Sequence, residues 1–373
     1  MRYKILFISS WFPNKLEPTN GNFVQRHAEA AFLRNDVEIL HAIGDPDQKK
    51  SFVFEEQIIN GIRTLIVYYR KTSNPALNFY RRMRSYKKGF RRMQKPDLVH
   101  ANILRNSMLF AVYLKRKFKI PFVVSEHWSG FLKINEHQLS KLGLRITREI
   151  ARHASYILPV SNYLLTDLRK LGLQTNFQVI ENVVNTELFH VKRHSADEFK
   201  FLHISNLISI KNPEKIIDVA VKLRSEFDNF ELHIGGDGDI EILNKIILNH
   251  KAGDYIKTFP TLKSEEVAYK MRSSNCFILF SDYENFPCVL LETLSAGTPA
   301  IATKVGGIPE IINERNGILI SKCEIELYNA MKDVLLEQID FDEPHTLHEF
   351  VNHHFSMETI SRKFDEIYQK VLR

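Results

Sequence analysis

Short apolar runs rich in β-branched and aromatic residues recur along this chain, and most are followed by a stretch whose apolar residues return every three to four positions. In the first half the runs are Ile5–Ile8, Val37–Leu40, Leu98–His100, Phe122–Ser125, Ile157–Val160 and Val179–Ile180. Helical patterns lie between them at Phe23–Leu33, Asn106–Lys117, Leu142–His153 and, behind the capping residue Ser161, Asn162–Lys170. In the second half the runs are Phe201–Ile204, Leu232–Ile234, Cys276–Phe280, Ala300–Thr303 and Ile318–Ile320. This alternation predicts βαβ units and an α/β protein with two doubly wound parallel sheets. The expected division is 1–190 and 191–356, with the polar stretch His190–Lys200 as linker and a last helix over 357–373 that returns toward the first domain. Two such domains facing each other leave a cleft, and ligands of these sheets bind at the carboxyl ends of strands. Neither half carries G-x-G-x-x-G after its first strand, which removes the dinucleotide-binding fingerprint.

Composition narrows the class. With 373 residues, 44% hydrophobic and 25% charged, the chain fits two folded domains and excludes a disordered or collagen-like protein. Its three cysteines, Cys276, Cys288 and Cys323, form no C-x-x-C pair, so the pattern fits a reducing cytoplasm rather than a disulfide scaffold or zinc site. The apolar runs are far shorter than the roughly 20 residues that span a bilayer. The opening M-R-Y-K-I-L-F-I-S-S reads as a buried first strand.

Charge is divided unevenly. Residues 1–193 carry a net +17 and residues 194–373 a net −10, so the first domain is expected to approach phosphates or an anionic surface. Within it, residues 70–96 hold ten Lys and Arg and no acid, interleaved with Tyr80, Met83, Tyr86, Phe90 and Met93. A helix there would border an apolar side with cations, including Arg81, Arg82, Arg91 and Arg92, and could lie on acidic lipid. Packing of that apolar side on the first sheet is the competing reading, and nucleic-acid binding is disfavoured because no nucleic-acid module is present.

The densest chemical signal is residues 277–312, where a strand ending at Phe280 leads into the loop Ser281–Phe286 and then Pro287, a residue suited to a helix start. Glu284 in the loop and Glu292 one turn into the helix can face one pocket. Free N–H groups at that helix start, beside carboxylates that only accept, suit a ligand rich in hydroxyls and phosphates, such as a sugar nucleotide. A lone glutamate is more often a solvated acid, and it is the surrounding motif that reverses that expectation.

Glu284 and Glu292 followed by A-G-T-P and V-G-G-I-P-E resemble the signature of glycosyltransferase family 4, retaining transferases with the two-domain, Rossmann-like GT-B fold. N-G-N-F (20–23), E-H-W-S-G (126–130), V-I-E-N-V-V-N-T-E-L-F (179–189), S-N-L-I-S-I-K-N (205–212) and H-I-G-G-D-G (233–238) follow in the family's order. The resemblance implies an acceptor-binding first domain and a donor-binding second one. It places Glu284, Asn285 and Phe286 at the transferred sugar, Glu292 at the ribose and Lys211 at the donor pyrophosphate. Gly236 and Gly238 fall near the base, and Gly21 in the glycine loop near the diphosphate. His127 matches a histidine that positions and polarises hydroxyls. Asn206 departs from the usual arginine, which removes a charge from the diphosphate site, and Val183 stands where the family usually has glycine. No D-x-D pair is placed for a divalent ion, so no metal or other cofactor is expected.

The resulting expectation is a retaining transfer of a sugar from a nucleoside diphosphate to a glycan or lipid-linked acceptor in cell-surface polysaccharide synthesis. It is set in the cytoplasm at the inner face of the membrane, with no nucleic-acid partner. A sugar-nucleotide epimerase or phosphorylase of the same fold, and a non-catalytic basic binding protein, are the alternatives.

Overall fold

The structure, a computed structural model, describes residues 2–191 and 198–373, which form two compact units. Unit 1 is built on β1 (Lys4–Ser9), β2 (Asp36–Asp45), β3 (Phe52–Ile59), β4 (Ile62–Arg70), β5 (Leu98–Asn102), β6 (Phe122–Glu126), β7 (Tyr156–Pro159) and β8 (Asn176–Phe177). The strand order is β3-β4-β2-β1-β5-β6-β7-β8, parallel throughout except for the β3–β4 hairpin. That hairpin turns through Asn60 and Gly61, both at positive φ, as a two-residue turn matched to strand twist requires. Its helices are α1 (Asn22–Phe32), α2 (Pro75–Phe90), α3 (Leu109–Phe118), α4 (Lys141–His153) and α5 (Asn162–Lys170). The predicted run Val179–Ile180 is not a strand. The edge strand is Asn176–Phe177, and the chain beyond it keeps only single bonds to β7, from Gln178 N to Ile157 O and from Ile180 N to Pro159 O.

Unit 2 comprises β9 (Phe199–Ser205), α6 (Pro213–Arg224), β10 (Phe230–Gly236), α7 (Ile240–Asn249), β11 (Ile256–Phe259), α8 (Ser264–Arg272), β12 (Cys276–Leu279), α9 (Cys288–Ser295), β13 (Ala300–Thr303), β14 (Gly317–Ile320), α10 (Glu324–Leu335) and α11 (Pro344–Phe355). Its sheet is wholly parallel in the order β11-β10-β9-β12-β13-β14. Phe201, Leu232, Ile278 and Ile301 point into a core closed by Ile216, Leu223 and Met331. Each fully buried Leu, Ile or Phe contributes about 1.5–3 kcal/mol.

The units part at 183/184, a few residues before the expected 190/191. The physical reason is local: Val184 N already bonds Phe355 O, and Ser295 Oγ donates to Phe189 O, so 184–189 is stitched into unit 2. Residues 192–197 of the expected linker lie outside the described residues.

The last helix, α12 (Met357–Leu372), belongs to unit 1. Ile360, Phe364, Ile367 and Tyr368 form its buried stripe, at helical spacing. Tyr368 Oη meets His100 Nδ1 at 2.6 Å while His100 Nε2 meets Ser125 Oγ at 2.7 Å, a buried chain that ties α12 to β5 and β6. Among the described residues no helix is long and apolar enough to cross a membrane.

Candidate active site

In unit 2 the strand order reverses between β9 and β12, the position where open parallel sheets take ligands. The loops that follow these two strands are bonded to each other. Asn212, in a left-handed conformation at φ 48, donates its side-chain amide to Phe280 O at 3.0 Å and to Asp282 Oδ1 at 3.1 Å, and Asp282 N donates to Ile210 O at 2.8 Å. This cross-bracing sets the ammonium of Lys211 against Glu284 Oε1 as an ion pair, and Ser281 Oγ donates to the same oxygen at 2.8 Å. The side chains are only 16% and 10% exposed, so the pair works at a lower effective dielectric than water. Beneath it, burial lowers the pKa of His203 to about 4, so the ring is neutral. It spans Ile278 O at 2.9 Å and Ser205 Oγ at 2.9 Å, and Ser205 Oγ in turn accepts Leu207 N at 3.0 Å. That relay fixes the path of the chain toward Lys211.

Gly306, in the loop after β13, closes the site from the other side. At φ 56 its position admits few side chains, and a Cβ there would fall 1.6 Å from Glu284 O. Its lack of a side chain is what lets the V-G-G loop lie on the backbone of the acid. Asn285 and Phe286 are buried beside Glu284, with the Phe286 ring edge-on to Phe355 at 5.8 Å. Glu292 is buried one turn into α9. On the adjacent strands, Asp237 N bonds Ser205 O at 3.0 Å and a Cβ on Gly238 would lie 2.8 Å from Asn206 O, so Gly236, Gly238 and the exposed Asn206 form one neighbouring turn pair. Apart from Gly21, which belongs to unit 1, the residues that the sequence offers for the donor therefore lie at or just beyond the carboxyl ends of the strands of unit 2. Ser281, Asn212, His203 and Gly306 complete it and escape a reading by motif alone. The signals were present: a serine three residues before the acid, an asparagine between lysine and proline, and a G-G pair after a strand.

In unit 1, Gly21 caps α1 at φ 82, and a Cβ there would meet Trp11 C at 2.6 Å. His127 follows β6, packed under Phe23 at 4.4 Å and beside His27 at 5.0 Å between ring centres. Burial holds it well below the ordinary histidine range, reinforced by His27 and His100 and opposed by a hydrogen bond with Asn182. The imidazole is therefore neutral. Glu126 is fully buried and accepts three backbone N–H groups, from Leu104 at 2.6 Å, His127 at 2.8 Å and Trp128 at 2.6 Å. Burial pushes its carboxyl up to about 7 against the pull of those donors.

The four arginines expected to border the apolar side of one helix fall into two separate pairs. Arg81 donates to Arg70 O at 2.6 Å and Arg82 to Tyr69 Oη at 3.2 Å, near the carboxyl ends of the strands. Arg91 and Arg92 lie past the other end of α2, with Arg92 3.7 Å above the Phe54 ring. The apolar side of the helix faces inward. Tyr86 is buried and stacks on Phe110 at 5.3 Å, Met93 is buried and Phe90 is half-buried, so only Tyr80 of the aromatics and methionines singled out in that stretch is exposed. Among the described residues no three His, Cys, Asp or Glu gather in a metal-binding group.

Comparison with known proteins gives the same frame. Residues 23–188 match the family described as Glycosyltransferase Family 4, and residues 184–350 match Glycosyl transferases group 1. N-acetyl-alpha-D-glucosaminyl L-malate synthase of Bacillus anthracis is 27% identical over 232 residues, 58% of this chain, which spans 60% of that relative's length. A putative teichuronic acid biosynthesis glycosyltransferase, TuaC of Bacillus subtilis strain 168, is 24% identical over 356 residues, 85% of each chain. Among solved structures, Anabaena HepE in complex with UDP and glucose superposes with a TM-score of 0.77 over 99% of this chain and 100% of its own, at 18% identity, a likeness of fold.

Proposed function

The chain belongs to glycosyltransferase family 4, and from that premise we propose that it transfers a sugar, with retention of configuration, from a nucleoside diphosphate to a hydroxyl of a glycan or lipid-linked acceptor. The observation that carries the reading is the Lys211–Glu284 pair at the switch point of unit 2, beside the start of α9. Lys211 offsets the charge that grows on the departing diphosphate, and in a site screened from water that electrostatic term is large. Glu284, relieved of the lysine by the incoming phosphate, holds sugar hydroxyls and faces positive charge at the anomeric carbon. Glu292 grips the ribose. The solved HepE complexes with UDP, UDP and glucose, and UDP-glucose support a donor of this class.

Retention follows front-face return. As the anomeric carbon–phosphate bond breaks, the acceptor oxygen bonds the same face of the carbon and its proton passes to the leaving phosphate oxygen. No enzymic nucleophile and no divalent ion enter this scheme. Neutral His127 orients hydroxyls in unit 1 and does not take the proton. Relatives named for malate-linking and teichuronic acid synthesis support a cell-surface or small hydroxylated acceptor. The test is turnover of a nucleotide-sugar panel with mixed acceptors, with the product anomer read by NMR. We expect an acceptor-dependent product of the donor's own configuration that persists in chelator and falls at least about a hundredfold in Glu284→Gln. An inverted product, or full activity in Glu284→Gln, overturns the assignment.

A further inference from the structure

A second set of charged side chains lies in unit 1, on the loops that follow its own switch point. The strand order there reverses between β1 and β5. Just beyond these strands the hydroxyls of Ser10 and Ser107 hydrogen-bond each other, and Tyr86 Oη donates to Ser9 O at 2.8 Å, pinning α2 to the end of β1. Three cations reach this edge, each over an aromatic ring: Lys15 over Tyr68 at 4.2 Å, Arg82 over Tyr69 at 5.9 Å and Arg105 over Trp128 at 5.1 Å. Among the described residues none of the three is ion-paired to a carboxylate. The nearby acid, Glu126, is already committed to its three backbone donors.

The backbone spends conformational strain to hold Arg105 there. Ile103 sits at φ 70, a left-handed conformation in which a β-branched residue is an outlier. Its N–H donates to Ser125 O at 2.8 Å and its carbonyl accepts Arg105 N at 2.7 Å, so a tight turn aims the arginine. Burial, and then the neighbouring guanidinium of Arg82, disfavour the charge on Arg105, and the Glu126 carboxyl opposes them only in part. Two like charges near each other, neither of them in an ion pair, are stabilised by an anion, and the planar forks of two arginines match a phosphate or carboxylate.

We propose that Arg82 and Arg105 form an oxyanion site that holds a phosphate or carboxylate group of the acceptor. The proposal deepens the transferase reading and rests on unit 1 receiving the acceptor. A neutral polyol would bring no charge to the two guanidinium groups, so the acceptor class is an anionic one.

The test is a calorimetric titration of inorganic phosphate into the full chain, saturated with UDP or GDP so that the donor site is occupied. Succinate replaces phosphate in a second arm, and the tighter ligand names the group. Arg82→Gln and Arg105→Gln are each expected to weaken binding about ten- to hundredfold. Arg105→Lys, which keeps the charge and loses the fork, also weakens it, and that variant decides the matter if Arg105→Gln does not fold. The pair Arg91→Gln/Arg92→Gln, equal in charge removed but at the other end of α2, leaves affinity within about twofold. Absence of binding by the wild type, or equal weakening by the Arg91/Arg92 control, overturns the site. If no nucleoside diphosphate binds, the transferase reading fails separately, and the phosphate titration run without nucleotide still decides the oxyanion site.

Discussion

Removing one partner of the Lys211–Glu284 pair strands the other in a site with little access to water. Stranding a fully buried charge costs about 3–5 kcal/mol. Here the side chains keep 16% and 10% of their exposure, and Ser281 Oγ still serves Glu284, so about 2–3 kcal/mol is expected for Lys211→Met. Glu284→Gln leaves an amide oxygen that can accept from both Lys211 and Ser281, so its loss is smaller, about 1 kcal/mol. The double variant buries no unpaired charge and is expected to recover about 1–2 kcal/mol relative to the sum of the singles. For a unit of this size each kcal/mol moves the unfolding temperature by roughly 2–4 °C, so Lys211→Met should melt about 4–12 °C below the wild type. Scanning calorimetry of the four proteins, with the unit 2 transition identified by its response to nucleotide, reads the cycle. Additive losses in the double variant, or a Lys211→Met protein as stable as the wild type, would refute the claim that these two charges compensate each other.

Three further expectations follow from the same structure. Gly306→Ala drives a methyl group into Glu284 O and takes alanine to φ 56, so the loop must move; urea titration is expected to show a loss of about 2 kcal/mol or more, and an unchanged midpoint would place the loop elsewhere. Acid should unfold unit 1 before unit 2. His27 and His41 are lowered to about 4 and His100 and His127 well below 6.5, chiefly by burial, whereas unit 2 has His203 as its strongly lowered histidine. Their unfolded forms take up protons as pH falls below about 6.5 while the folded forms resist, so this stability is lost toward pH 4, with a slope near 1.4 kcal/mol per unit for each group, and the Glu126 carboxyl, raised to about 7, offsets one of the four; a pH-independent melt from 7.5 to 5 would contradict this. Because the apolar side of α2 is turned inward, any adhesion to anionic vesicles rests on charge alone. Flotation is expected at low salt and lost at 0.5 M salt, where screening is within about 5 Å, and salt-resistant flotation would indicate apolar insertion instead.

The two parallel sheets were legible because their strands are buried on both faces and appear as bare apolar runs, as Cys276–Leu279 and Phe201–Leu202 do. The hairpin β3–β4 escapes such a reading. Phe52–Ile59 is an edge strand with Glu55, Glu56 and Gln57 in its middle, and only Asn60-Gly61 announces the turn. Glu284 and Lys211 could be singled out from motif, but not that they pair, since that depends on Asn212 bridging loops about seventy residues apart. The basic stretch is ambiguous for a related reason. Tyr86 and Met93 repeat at helical spacing whether the face they mark meets lipid or a sheet, and Phe110 decides it. Arg105 carried no motif, and what marks it is the backbone of Ile103.

The central claim, that unit 2 grips the diphosphate of a nucleotide sugar through Lys211, is tested most directly by titrating nucleoside diphosphates into the wild type and Lys211→Ala. At a hundred times its dissociation constant a bound nucleotide stabilises by about 2.7 kcal/mol, well within reach of a thermal shift. One or more of UDP, GDP and ADP is expected to bind the wild type and to bind Lys211→Ala at least about tenfold more weakly. Failure of all three to bind the wild type, or equal affinity for both proteins, would contradict the account.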